Sequence, residues 1–431
     1  MFCLYFSEIN MGPRIKRRRL TDPEDLSDDI CQPASRLEKD SWNGFCEIES
    51  EPALFNVMLR EFGVKGVKIQ EVVSLDEEMM AFLNNPVYGL IFLFRWREDN
   101  DGKQEATCPD GLWFANQTAN NACASVALLN IVNNIPDIDL GENLRSFKEF
   151  TMPFTPALRG DAINNFEFVK RIHNSYARKM DILNSDLQLK TEATTKKKGS
   201  KGQAIDESNA TFHFIAFMPV MGQLWKFDGL ERQPRALGMH TPNRHAGMTL
   251  LTSVGECSED DWLELVKPNL LDRMAAYEEE EIEFSILGLV RDPLPDLNND
   301  LAVNVRSLEI LNQRATSLCP SSDTLALDET VLGPEPSLSL TREEIDAAVI
   351  PPETLDDYQT CSDEKLQEYQ QTISRSQREL RTRIREEQQS HRSDDEYAAG
   401  RRFDYGPAVR TWLRRLAQKQ QLQELSALVA Y

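Results

Sequence analysis

The stretch from Trp113 to Asn130 changes character twice and constrains any fold the chain can adopt. Leu112 to Ala115 is an apolar, extended piece. Asn116 to Asn121 is polar. From Cys123 onward, apolar residues recur at 124, 127, 128, 131 and 132, the spacing of one buried helix face. Asn120 and Asn121 precede that helix as candidate caps. The fold must therefore bury an extended segment and a helix joined by a short polar turn, with Cys123 in the first helical turn. A thiol there meets free first-turn amides and the positive end of the helix dipole, which favour its anion. Gln117, upstream in the turn, carries an amide NH2 able to donate to an oxyanion beside the sulfur. The backbone N–H of Cys123 is a second donor. A nucleophile beside two donors suits acyl transfer.

Such a nucleophile needs a base. Of the five histidines, only His213 sits in a strong strand pattern, Thr211 to Met218. Pro219 to Gly222 breaks the run, and Gln223 to Asp228 forms a second strand closed by Gly229. This reads as a β-hairpin. With a loop of Val220 and Met221, or of Pro219 to Gly222, His213 falls directly opposite Asp228. Directly opposed residues have Cβ atoms about 4.5–5.5 Å apart, so Asp228 would hold one imidazole nitrogen and aim the other at a thiol. A loop of another length would spoil that pairing. Each residue also has a plainer reading: a helix-start cysteine as a small buried hydrophobe, a strand histidine as a satisfied core or surface residue, and an aspartate before glycine as turn chemistry.

Taken together, the Gln117 to Cys123 spacing, Asn120 to Ala124, Phe212 to Phe214 and Asp228 to Leu230 resemble the ubiquitin C-terminal hydrolases. These are papain-like thiol peptidases that cleave after the C-terminal glycine of ubiquitin. Trp42 to Ser50, Pro86 to Trp96, Leu140 to Glu142, Phe147 to Phe150 and His173 to Arg178 extend the likeness, which covers about residues 41 to 295. The resemblance implies Cys123 as nucleophile, His213 as general base and acid, Asp228 as the group orienting His213, and Gln117 as oxyanion stabiliser. It implies no metal and no cofactor. The pattern alone is α/β with a strand-rich second half. The resemblance makes it an α+β papain-like fold, an antiparallel sheet flanked by helices, with a knotted backbone.

Along the chain, residues 1–40 read as a disordered extension. Its cluster Lys16 to Arg19 reads either as a nuclear localisation signal or as an incidental charge run, and Met11 is an alternative start. Residues 41–295 form the expected catalytic domain. Within it Glu51 to Phe62 reads as a helix, Val87 to Trp96 as a central strand, Asn143 to Glu149 and Ala162 to Arg178 as further helices, and Ile282 to Val290 as a closing strand. The polar run at about 184–210 sits where the resemblance places a crossover loop over the active site. Residues 296–400 read as a linker with amphipathic helices: Ala302 to Arg314, a short helix opened by the capping box Thr341 and Glu344, and a charged helix from Asp363 to Glu387. Residues 401–431 read as a separate partner-binding module, with an apolar stripe of Val409, Trp412, Leu413, Leu416, Leu422, Leu425 and Leu428. It is too small to fold alone. Long-tailed members of the resembled family carry such a module, one type binding a proteasomal ubiquitin receptor and another serving in chromatin. The moderate length favours the proteasome type.

Net charge and cysteine usage set limits on partners. The formal charge of −22 argues against general nucleic-acid binding, which needs basic surface. The eight cysteines contain no CxxC pair, which reads as reduced thiols in the cytoplasm or nucleus. No apolar run is long enough to span a membrane. Met1 to Phe6 is too short and lacks the basic flank of a signal peptide. The expected partners are ubiquitin, its conjugates and a proteasomal receptor. The alternatives are a ubiquitin-binding scaffold with low activity, a chromatin-complex deubiquitinase, or a peptidase for another ubiquitin-like modifier.

Overall fold

Among the described residues, six strands form one antiparallel sheet: β1 (Val67–Glu71), β2 (Val87–Arg95), β3 (Phe212–Val220), β4 (Gln223–Phe227), β5 (Arg235–Gly238) and β6 (Phe284–Arg291). Their spatial order is β1-β6-β2-β3-β4-β5. The structure is a computed structural model and describes residues 33–95, 106–185, 187, 212–238, 261–278, 284–318 and 330–418. The cluster at Lys16 to Arg19, Met11, Leu422, Leu425, Leu428 and all of the 184–210 loop except 184, 185 and 187 lie outside those residues.

Helices before the hairpin are α1 (Arg36–Ser41), α2 (Pro52–Phe62), α3 (Glu77–Met80), α4 (Cys123–Val132), α5 (Gly141–Thr151), α6 (Pro156–Asn164) and α7 (Glu167–Asn174). After it come α8 (Asp261–Glu278), α9 (Leu294–Leu318), α10 (Arg342–Ala347), α11 (Pro352–Thr360), α12 (Asp363–Arg402) and α13 (Gly406–Gln418). The single helix expected over Ala162 to Arg178 is two, α6 and α7, parted at Asn165 and Phe166.

Both faces of the sheet are covered, and β3 shows why its sequence is apolar at nearly every position. Phe214, Ala216 and Met218 join the core beneath α2, α4 and α7, while Ile215 and Phe217 join the opposite core with Trp262, Val266 and Leu270 of α8. A strand buried on both faces reads as a continuous apolar run. On the first face α4 is almost wholly enclosed, Ala124 to Val132 all being buried. It packs directly on β3.

The chain after β6 is more than a linker. The helix expected over Ala302 to Arg314 runs from Leu294 to Leu318. Its Leu297, Leu301 and Val305 form a third core with Leu338, Ile345 and Ile384. The capping box of Thr341 and Glu344 opens α10 as expected. The helix expected to end at Glu387 continues to Arg402, so the division drawn between 400 and 401 falls inside α12. Several charged residues from Glu387 onward pair with the sheet domain. Glu387 pairs with Lys68 at 2.7 Å, Asp395 with Arg60 at 2.6 Å, Arg401 with Glu49 at 2.8 Å and Arg402 with Glu61 at 2.7 Å.

Candidate active site

The segment before Cys123 is extended, as its pattern implies, but among the described residues it joins no strand. Its backbone is held by side chains, which meets the requirement that buried amides and carbonyls find partners. Asn134 accepts from the Trp113 N–H at 2.9 Å and donates to the Trp113 carbonyl at 2.6 Å. Asn130, one helical turn earlier, does the same for Ala115 at 2.8 and 3.2 Å. From α6, Arg159 donates to the carbonyls of Leu112 at 3.0 Å and Phe114 at 3.2 Å. The approach to Cys123 is thereby clamped on both sides.

The expected caps do not form. Ala122, with helical φ and ψ, stands at the cap position of α4, and no side chain accepts from the first turn. Asn121 has φ 61°, a left-handed conformation that asparagine tolerates. The chain therefore enters α4 by a tight turn, not from the extended conformation an Asn cap requires. Among the described residues no side chain caps α4, which leaves its first-turn amides able to receive a negatively charged oxygen. Cys123 itself is half-buried and free.

His213 and Asp228 meet, by a different register from the one expected. The hairpin loop is Met221 and Gly222, both with positive φ, the backbone of a type I′ turn. Phe217 pairs with Lys226 and Ala216 with Phe227. His213 and Asp228 are thus diagonal neighbours, not directly opposed. A two-residue change of register keeps both side chains on the same face, whereas one residue would have separated them. His213 Nε2 lies 2.7 Å from Asp228 Oδ1, and both residues are buried. The Leu230 amide donates to the same carboxylate oxygen at 3.0 Å.

With Nε2 engaged, Nδ1 is the ring nitrogen left for the Cys123 thiol, which is the other polar neighbour of the imidazole. Burial alone would push the His213 pKa down. Hydrogen bonds and negative charge from Asp228 and Cys123 outweigh it and raise the pKa to about 9. Burial likewise pushes Asp228 up, but its bond to His213 and the charges of His213 and Lys226 hold it below the ordinary carboxylate value. Phe94 on β2 closes one side of the imidazole, edge to face at 5.9 Å.

Gln117 is tied to the same turn. Its backbone N–H donates to the Gly229 carbonyl at 2.8 Å. Its side-chain Nε2 donates to Ala119 O at 3.0 Å, and Oε1 is buried with no partner. Helix α6 supports this loop closely. A Cβ on Gly160 would stand 2.1 Å from the Asn116 carbonyl oxygen, so only glycine fits.

Three neighbours carried no signal in the sequence. Asn116 donates to the Glu231 carbonyl at 2.6 Å, Lys226 is buried two residues before Asp228, and Glu231 pairs with Lys226 at 2.9 Å. Conversely His173, which the sequence offers as another histidine, is no part of the cluster of His213, Asp228 and Cys123. Its Nε2 donates to the Cys46 carbonyl at 2.7 Å and its Nδ1 meets the Ser125 hydroxyl at 2.8 Å, so the proton sits on Nε2 and both nitrogens are engaged.

Comparison with known proteins places the chain in a family. The model of "Ubiquitin carboxyl-terminal hydrolase, family 1" matches residues 45–257. The chain is 34% identical over 252 residues to ubiquitin carboxyl-terminal hydrolase ubh-4 of Caenorhabditis elegans, covering 58% of this chain and 67% of that one. The chain belongs to the ubiquitin carboxyl-terminal hydrolase family. It is also 33% identical over 249 residues to ubiquitin carboxyl-terminal hydrolase isozyme L5 of Dictyostelium discoideum, covering 58% of this chain and 62%, under two thirds, of that relative. Among solved structures it resembles the Trichinella spiralis UCH37 catalytic domain bound to ubiquitin vinyl methyl ester, at 30% identity, TM-score 0.42, and coverage of 58% and 96%. Gln117, Cys123, His213 and Asp228 all fall inside the matched hydrolase region. Strand β6 falls outside it, yet lies between β1 and β2 and completes the hydrolase sheet.

Proposed function

We propose that this chain is a deubiquitinating thiol hydrolase that cleaves the bond after the C-terminal glycine of ubiquitin. The observation that carries the reading is the buried His213–Asp228 pair facing a cysteine at an uncapped helix start, within the family-matched region. Cys123 sulfur attacks the glycine carbonyl and its proton resides on His213. The oxyanion is received by the Cys123 amide and the Gln117 side chain. His213 protonates the leaving amine as the C–N bond breaks. Water, deprotonated by His213, then attacks the thioester, releasing the ubiquitin carboxylate and restoring the thiol. Asp228 holds the imidazole in place through both steps.

Labelling with ubiquitin carrying a C-terminal electrophile, followed by mapping of the adduct, tests this. The adduct is expected on Cys123 alone, and Cys123→Ala is expected to retain ubiquitin binding without turnover of a fluorogenic ubiquitin conjugate. Binding with no turnover by the unaltered chain would support the scaffold reading instead.

The finer reading is that the tail from 401 to 431 docks on a proteasomal ubiquitin receptor. Helix α13 supports it by exposing Val409, Trp412 and Leu413, a patch of the kind that marks interaction sites. A cytoplasmic or nuclear setting is proposed with it, since a working thiol suits a reducing compartment.

A further inference from the structure

Lys226 is an unexpected charge within the site. It precedes Asp228 by two positions at the end of β4 and is 1% exposed. A buried ammonium persists only when paired. Its Nζ lies 2.9 Å from Glu231 Oε1 and 3.7 Å from Asp228 Oδ2. Glu231 reaches the other half of the site through its backbone, whose carbonyl accepts from Asn116 Nδ2 at 2.6 Å. Asn116 directly precedes Gln117, whose own amide is bound to the Gly229 carbonyl. One ion pair therefore touches the carboxylate of the triad at one end and the loop of the oxyanion donor at the other.

We propose that Lys226, held by Glu231, is a positioning residue that sets how strongly the Asp228 carboxylate stabilises the protonated His213 and fixes the Gln117 loop against the Asp228 turn. The proposal deepens the thiol-hydrolase reading and rests on it. Among the described residues, the titratable groups facing His213 are Asp228 from the turn after β4 and Cys123 from α4, while Phe94 from β2 presents an uncharged ring. Lys226 stands beside Asp228 and Glu231 beside Lys226, so the carboxylate of Glu231 offsets the ammonium that Asp228 meets. Removing only the ammonium leaves the Asp228 carboxylate without the cation beside it and strengthens the hold of His213 on its proton. Removing only the Glu231 carboxylate leaves an unbalanced ammonium beside Asp228 and weakens it. A strut with no electrostatic role would not give opposite signs.

The experiment uses the full chain with Lys226→Met, Glu231→Gln and the double variant. Two readouts are followed against pH: kcat and KM on a fluorogenic ubiquitin conjugate, and the rate of iodoacetamide alkylation at Cys123, counted by mass spectrometry. In Lys226→Met the alkaline limb of kcat/KM, and the alkylation step that tracks the same ionisation, are expected to move up by roughly one pH unit. In Glu231→Gln both should move down by a similar amount, and the double variant should return to the wild-type position. Both single variants are expected to lose kcat roughly 10-fold to 100-fold, with KM changing far less. Limbs that stay in place, or that move in the same direction in both single variants, overturn the proposal. Should Lys226→Met fail to fold, the downward shift in Glu231→Gln and its return in the neutral double variant decide the matter. A wild-type chain inactive on ubiquitin whose alkylation steps still shift in opposite directions would sink the ubiquitin reading and leave the positioning role standing.

Discussion

The Gln117 amide donates to the Gly229 carbonyl at 2.8 Å, and this bond joins the loop before Cys123 to the turn after Asp228. Two sequence segments more than a hundred residues apart thus form one rigid wall of the site. The Gln117 side chain is placed by that wall. Gln117→Ala is expected to lower kcat about 10²–10³-fold, as for loss of one oxyanion donor, while KM changes little. Steady-state kinetics on a ubiquitin ester check this. A drop of only a few fold would confine Gln117 to the structural role its backbone already plays.

Gly160 offers a test of the same wall from the other side. An alanine there would place Cβ 2.1 Å from a backbone oxygen at Asn116 and 2.9 Å from the Thr118 methyl. Backbone cannot rotate aside as a side chain can. Gly160→Ala is expected to cost about 1–3 kcal/mol, the range for overpacking, and to lower kcat by displacing the Gln117 loop. Urea unfolding and turnover measured together decide it. Unchanged turnover with unchanged stability would mean that α6 and the loop separate freely.

Much of this site was legible because its signals are local. The apolar period after Cys123, the continuous β3 run and the break at Pro219 to Gly222 each dictate structure within a few residues. The register was not legible, because the turn places a methionine, Met221, at φ 55°, a conformation no residue preference announces. The expected Asn caps failed for a related reason: Asn121 serves the turn, not the helix. The clamps of Asn130, Asn134 and Arg159 were invisible, since their partners are backbone groups brought close only by the fold. Helix α8 was missed because Pro268 lies inside it and its apolar residues have little one-sided period. The extent of α12 was missed because its charges look solvated in sequence, whereas several are paired across to α2, β1 and Glu49.

His173 gives a pH test separate from catalysis. It is fully buried, and burial lowers its pKa to about 4, only partly opposed by its bond to the Cys46 carbonyl. The folded value lies below the unfolded one, near 6.5, so the unfolded chain binds more protons between the two. The contribution is therefore complete above about pH 6.5 and is lost as pH falls toward 4, on the order of 3 kcal/mol in total. Denaturant unfolding of wild type and His173→Gln at several pH values isolates it. The variant should be weaker at pH 7, and the gap between the two should narrow as pH falls from 6.5 to 4. A constant gap would mean that the imidazole is not held neutral.

The tail prediction depends on where the chain is cut. Arg401 is 8% exposed and bonds Glu49 and the Tyr176 carbonyl, and Arg402 stacks on Tyr176 at 4.6 Å while pairing with Glu61. These residues belong to the body, although the sequence groups them with the tail. Beyond them, α13 exposes Trp412 at 58%, Val409 at 49% and Leu413 at 40%. Truncation after Tyr405 is expected to abolish co-purification with proteasomes and leave turnover of a minimal ubiquitin ester nearly unchanged. Truncation after Gly400 should in addition cost about 1–3 kcal/mol by stranding the Tyr176 carbonyl. Trp412→Ala alone should weaken receptor binding by roughly 2 kcal/mol or more, the scale of an aromatic hot spot, as measured by calorimetry with the purified receptor. Undiminished receptor binding by the chain ending at Tyr405 would move the contact off α13. Failure of the full chain to bind the receptor at all would favour the chromatin-complex alternative, in which the same exposed face serves a different assembly.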